Sequence, residues 1–243
     1  FQLYVTGSVD AARALADRAW NAGYRTLVLT VDVPRLGKRP RDLRNGFRTP
    51  MQWTARHALD FALHPRWSLS TLAAGIPQMA NFDRASGGYD RSAARRGADW
   101  EFLQQLRDTW KGTLVVKGVV CAPDAVRIRD LGADAVYVSN HGGRQLDAAP
   151  ATLDGLQAVR AAVGPHYPLI VDGGVRSGED VVKARALGAD LVMMGRPFLY
   201  ACAAGGPEGL EAFVRGLRED MVIALAQLGL PSFARVDGGA LYR

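Results

Sequence analysis

Cysteine is nearly absent. Cys121 and Cys202 are the only two in 243 residues. That excludes a disulfide framework and makes a reducing compartment the simpler inference. No apolar run approaches the roughly 18–20 residues that a membrane-spanning helix needs. The net charge of +6 is spread along the chain, without a Lys/Arg tract or an RNA-binding signature. This argues against nucleic acid, and leaves an anionic substrate, a cofactor phosphate or an acidic membrane surface as uses for the charge. No leader pattern opens the chain. It starts at Phe1, without Met and inside a strand-like run, so a further N-terminal portion is expected. The charged fraction of 22% and hydrophobic fraction of 48% exclude a disordered chain. They leave a single large domain over 1–243 with room for a substantial core.

What is present is a regular alternation. Phe1–Val5 reads as the end of a strand. Ser8 is a plausible N-cap for a helix over Val9–Asn21, which Gly23 stops. Further strands are expected at Thr26–Thr30, Thr113–Lys117, Ala135–Val138, Leu169–Val171 and Leu191–Met194. The helices between them run from Asp99 to Trp110, from Pro123 to Gly132, from a Thr152 cap to Val163, and from a Ser177 cap to Gly188. A closing helix covers Gly209–Leu228. The phrase L-G-A-D joins helix to strand twice, at Leu131 and at Leu187. Six strands with right-handed crossovers predict a parallel sheet that curls, an α/β chain of the TIM (β/α)8 barrel type. The segment 50–97 breaks the rhythm. It mixes Trp53, Leu59, Phe61, Leu63, Trp67, Leu69 and Leu72 with Arg56, His57, His64, Arg66 and Arg84, Arg48 standing just ahead of it, and it is far longer than a usual βα loop. It reads equally as a lid, as a basic and aromatic patch for a membrane surface, or as an excursion packed on the barrel.

The strand ends carry the chemistry, where parallel barrels place it. Gln2 and Tyr4 share one face. Thr30 and Asp32 follow the second strand, Lys117 the third. The fourth runs into Ser139, Asn140, His141, Gly142, Gly143 and Arg144, which bring together a base, a flexible backbone and a fixed cation. The last two end in D-G-G-V-R (Asp172 to Arg176) and M-G-R-P (Met194 to Pro197). These are two Gly-rich turns, each with an Arg, suited to a phosphate.

The stretch S-N-H-G-G-R-Q-L-D, with F-Q-L-Y and T-V-D, resembles the signature of the FMN-dependent L-2-hydroxy acid dehydrogenases and oxidases. The resemblance runs from Phe1 to about Leu228 and is weaker between Pro50 and Gly97. It implies two further βα units ahead of Phe1, so the chain reads as a barrel missing its first two. It implies FMN held by Gln2, Thr30, Lys117, Ser139, Asp172, Gly173, Gly174, Arg176, Gly195 and Arg196. His141 would be the base, oriented by Asp32. Tyr4 would contact the substrate, and Arg144 and Arg39 would pair with its carboxylate. Lys38 is the obvious decoy in that loop. Lys117 would sit against the pyrimidine end of the flavin, which would supply the counter-charge a buried lysine needs.

The implied reaction is oxidation of an L-2-hydroxy acid, L-lactate first and mandelate or glycolate next. Quinone is the implied acceptor, and dioxygen the alternative. The implied setting is a homo-oligomer, a tetramer, in the cytoplasm and on the inner face of the cell membrane. Two other classes stay open. One is a different FMN-dependent, phosphate-binding barrel enzyme. The other is an incomplete barrel without catalysis.

Overall fold

The structure, a computed structural model, describes residues 1–6, 8–35, 37, 39–46, 53–75, 81 and 97–241. The chain divides into two units, Phe1–Gly37 with Ala93–Arg243, and Lys38–Ser92.

The first unit is built on one parallel sheet in the order β1-β2-β3-β4-β5-β6. Its strands are β1 (Gln2–Tyr4), β2 (Thr26–Thr30), β3 (Thr113–Val119), β4 (Ala135–Val138), β5 (Leu169–Val171) and β6 (Leu191–Val192). Each strand pairs with the next in chain order, which makes a partial (β/α)8 barrel. Among the described residues β1 and β6 each pair on one side only. The helices of this unit are α1 (Val9–Asn21), α5 (Trp100–Thr109), α6 (Ala122–Asp130), α7 (Thr152–Val163), α8 (Gly178–Ala186) and α9 (Arg196–Gln227).

Alternation along the strands sorts side chains onto two faces. Leu3, Leu27, Leu29, Leu114, Val116, Val136, Val138, Leu169 and Val171 pack with Ala12, Phe102, Leu106, Ile128, Leu156 and Val159 from the helices. Val115, Ala135 and Tyr137 form a smaller cluster with Val28 and Ile170 on the opposite, inner face. The register puts Tyr4, Thr30, Lys117, Tyr137 and Ile170 in one row across β1 to β5. That row is where the inner face stops being apolar.

The repeated L-G-A-D is one structural device used twice. The Asp134 carboxylate accepts from the Leu114 amide (2.7 Å) and from Arg107 (2.8 Å). Asp190 accepts from the Leu169 amide (2.9 Å) and from Arg160 (2.7 Å). Each Asp thus ties the start of its own strand to the start of the preceding one and to a last-turn arginine of a helix.

Caps follow the sequence with one exception. Ser8 accepts from the Ala11 amide and opens α1. Asp99 caps α5, and Ser177 and Asp180 form a capping box on α8. Thr152 is not a cap. Ala151 holds that position without a side-chain bond, and the buried Thr152 hydroxyl donates to the Gly173 carbonyl at 2.8 Å. The closing helix also begins earlier than expected, at Arg196. It is broken at Gly206 (φ 58°), ahead of Pro207.

The second unit contains α2 (Pro40–Arg44), α3 (Ala55–Leu63) and α4 (Pro65–Ala74). Thr54 caps α3. Phe61 lies edge-on to Trp53 (5.2 Å) and stacks on Trp67 (5.3 Å). Trp53, Leu59, Leu63, Trp67, Leu69 and Leu72 are exposed. No helix among the described residues is long and apolar enough to cross a membrane.

Candidate active site

β4 ends at Val138, and the buried Ser139 follows it. The Asn140 side chain accepts from the Gly142 amide at 3.0 Å and starts a tight turn over His141–Gly143. His141, Gly142 and Gly143 all have positive φ (55°, 62° and 73°). A histidine held there costs about 1–2 kcal/mol of backbone strain. The turn points the His141 ring at Asp32, whose two carboxylate oxygens lie 3.1 and 3.2 Å from Nδ1. A carboxylate only accepts, so Nδ1 carries a proton, and in the neutral ring Nε2 is then the nitrogen with the lone pair. Both side chains are largely shielded from water, at 19% and 13% exposure, which strengthens their interaction. The Tyr4 ring lies 6.4 Å from the imidazole, centroid to centroid.

Asp32 has its place because residue 118 is glycine. β3 is bulged between Lys117 and Val119, and Gly118 has φ +104°. A Cβ there would stand 2.6 Å from both Cβ and Cγ of Asp32. A glycine inside an apolar strand is a mark of a bulge or close approach, and Gly118 is both.

Lys117 is the second centre. Its ammonium is buried and donates to Ser139 Oγ at 2.8 Å. It ion-pairs with Asp172 Oδ2 at 3.1 Å. Ser139 donates in turn to Asp172 Oδ1 at 2.5 Å, and accepts from the His141 amide at 3.0 Å. Asp172 therefore already supplies a counter-charge for this buried lysine, where the expectation was that a flavin would. Tyr137, a residue sequence reading missed, donates to Asp172 Oδ2 at 2.9 Å. Burial, and then the Asp172 charge, push its phenol well above the ordinary tyrosine range. On β1, the Gln2 amide donates to Thr30 Oγ1 (2.9 Å) and to the Tyr4 hydroxyl (3.1 Å).

The Gly-rich turns close the rim. Gly173 packs so tightly on Asn140 that a Cβ would meet its Oδ1 at 2.7 Å, whereas Gly174 (φ +89°) and Gly195 have open space where a Cβ would be. Gly195 is the N-cap of α9, and Arg176 immediately precedes the capping box of α8. The Arg196 guanidinium donates to the Gly142 carbonyl at 2.5 Å, so it braces the histidine turn. The Arg176 and Arg144 side chains are exposed and make no ion pair or side-chain hydrogen bond among the described residues. Arg39 belongs to the second unit, where it lies 3.9 Å from Asp42. Lys38 lies outside the described residues. A hollow of about 640 Å³ runs beside Asp32 and Ser139, lined further by Arg35, Gly118, Asn140 and Gln145.

A family model described as FMN-dependent dehydrogenase matches residues 1–243. The chain is 44% identical to (S)-mandelate dehydrogenase of Pseudomonas putida, over 98% of this chain and 61% of that protein. It is 40% identical to L-lactate dehydrogenase of Caulobacter vibrioides, over 98% and 64%. Among solved structures it resembles the monotopic membrane protein (S)-mandelate dehydrogenase, with TM-score 0.91, 41% identity and coverage of 100% and 66%. It also resembles a mandelate oxidase, with TM-score 0.76, 36% identity and coverage of 99% and 61%. The chain thus spans about 61–66% of the length of these relatives.

Proposed function

The chain belongs to the FMN-dependent dehydrogenase family, and from that premise we propose that it oxidises an L-2-hydroxy acid to the 2-oxo acid. The observation that carries the reading is the His141–Asp32 pair standing on the same strand ends as the Lys117–Ser139–Asp172 cluster.

The residues fit FMN. The polar row Tyr4, Thr30 and Lys117, with Gln2 beneath it, offers donors to the edge of a heteroaromatic ring. Asp172 uses three of its roughly four lone-pair sites on Lys117, Tyr137 and Ser139. One is left for a ribityl hydroxyl. Gly173, Gly174 and Gly195 bring backbone to the starts of α8 and α9, and Arg176 and Arg196 add charge for a phosphate. When bound, FMN supplies a two-electron acceptor.

The rest is the work of the protein. Arg144 offers a bidentate fork to the substrate carboxylate, and the Tyr4 hydroxyl a further hydrogen bond. Arg39 is kept as a second cation on the strength of the resemblance alone. Nε2 of His141 takes a proton from the substrate. Asp32, already bound to Nδ1–H, stabilises the imidazolium that results and keeps the ring from turning.

(S)-Mandelate and L-lactate are the first substrates to test, since the similar proteins carry those names. Quinone is the proposed acceptor, and dioxygen the alternative. The exposed Trp53, Leu59, Leu63, Trp67, Leu69 and Leu72 beside Arg56 and Arg66 favour contact with a membrane surface, on its cytoplasmic face. A homo-oligomer, a tetramer, is proposed from the resemblance. The test is spectroscopic. Protein purified with FMN should be yellow and should bleach on anaerobic addition of (S)-mandelate or L-lactate. Peroxide formed on readmitting air would favour dioxygen as acceptor. A flavin that neither acid bleaches would remove the reading.

A further inference from the structure

We propose that Tyr137 is a positioning residue that sets how much of the Lys117 charge is presented to the ligand bound over the strand ends. The inference rests on the FMN reading above and deepens it.

Four side chains close a ring. Tyr137 and Lys117 both donate to Asp172 Oδ2, at 2.9 and 3.1 Å. Ser139 donates to Oδ1, and its oxygen accepts from Lys117. The Lys117 nitrogen also lies 4.7 Å from the centroid of the Tyr137 ring. Lys117 and Tyr137 are register partners on β3 and β4, so they face the same side. Tyr137 therefore touches the ion pair twice, with its hydroxyl on the anion and its ring face on the cation.

The two contacts act on one quantity. An ammonium has three N–H donors. Two go to Ser139 and Asp172, and the third meets no acceptor among the described residues. The phenol competes with the ammonium for Oδ2. Each increment of carboxylate charge that the phenol takes loosens the hold of Asp172 on Lys117. More positive potential is then left at the third N–H. In a buried site such competition is felt strongly, because hydrogen bonds to charged groups are not screened by water. The Tyr137 phenol also stays neutral across the working range of pH, so it remains a donor. A ligand group that gains negative charge on reduction would feel the difference. One whose charge does not change would not.

The test uses Tyr137→Phe, which keeps the ring and the packing and removes the hydroxyl. The full chain is purified with FMN as wild type and variant. Two properties of the bound flavin are measured: its midpoint potential, and its affinity for sulfite, whose adduct places negative charge on the ring. The expected result is a lower potential and roughly three- to tenfold weaker sulfite binding, the share of one charge-assisted hydrogen bond that reaches the ligand. A merely structural role would instead lower the melting temperature and the flavin content, and leave the potential of the flavin that remains unchanged. Unchanged potential and sulfite affinity would overturn the proposal. Should the wild-type chain hold no FMN, the functional reading fails separately. Tyr137 is then judged by alkaline absorbance titration, as the difference between wild type and Tyr137→Phe. A phenol titrating high, and brought down by Asp172→Asn, supports the bond to Asp172. One titrating like free tyrosine overturns it.

Discussion

Gly118→Ala adds one methyl group at the point where β3 passes Asp32. The new carbon would stand 2.6 Å from Asp32 Cβ and Cγ and 2.9 Å from its amide nitrogen. Ordinary contact begins near 3.4 Å, so about 0.8 Å must be found. None of the three atoms is the far end of a flexible chain, and alanine at φ +104° is strained besides. Two outcomes are open to the protein. If Asp32 holds its place, overpacking costs about 1–3 kcal/mol and backbone strain a similar amount, so stability falls by about 2–6 kcal/mol. If Asp32 retreats by that distance, its bonds of 3.1 and 3.2 Å to His141 Nδ1 stretch toward 4 Å and cease to be hydrogen bonds. The imidazole then loses its orientation, and a displacement near 1 Å costs on the order of a hundredfold in rate. The assay pairs a thermal melt with stopped-flow reduction of bound flavin by (S)-mandelate or L-lactate. One of the two readouts must move. A variant with both the wild-type melting temperature and the wild-type reduction rate would refute the assignment of Gly118 and Asp32.

His141→Ala should abolish flavin reduction while leaving flavin bound, as absorption and fluorescence of the purified variant would show. Arg144→Met should raise KM about tenfold or more with a smaller change in kcat, because the exposed guanidinium is assigned to the substrate carboxylate and to nothing else. Asp190→Ala should lower stability by about 1–2 kcal/mol in a urea titration without changing kcat, since it removes bonds to Leu169 and Arg160 at a partly exposed site remote from the strand ends. Stability should also fall as pH rises above about 10. The Tyr137 phenol titrates higher in the folded chain than in the unfolded one, so the unfolded state binds fewer protons there and stability declines. Tyr137→Phe should flatten that decline. An equal slope in the two proteins would count against it.

Much of the architecture is written locally in the sequence. All six strands could be placed because each is a short, mostly β-branched or apolar run, although β3 extends past Lys117 to Val119 and β6 stops at Val192, short of Met194. Ser8, Asp99 and Ser177 cap their helices where the apolar period starts. Thr152 misled because its hydroxyl has a partner on another strand end, the Gly173 carbonyl, and cap chemistry read along the chain does not see that. The closing helix was expected only from Gly209, yet α9 starts at Arg196 and runs through a break at Gly206 and Pro207. At the site, the resemblance implied that His141 and Asp32 pair, and the two side chains do meet. The roles of Gly118 and Tyr137 were not legible, since they depend on β-strand register and on what the neighbouring strand brings. Lys117 shows the same limit. Its need for a counter-charge was plain from burial, but that Asp172 supplies it follows only from the order of the strands.

The most direct test of the central claim is a crystal structure of the chain with FMN and a bound 2-oxo acid. The account predicts the phosphate between the starts of α8 and α9, beside Arg176 and Arg196, the flavin ring over Lys117 and Thr30, and the oxo acid between His141 Nε2 and Arg144. Flavin bound elsewhere, or an oxo acid out of reach of His141, would contradict it.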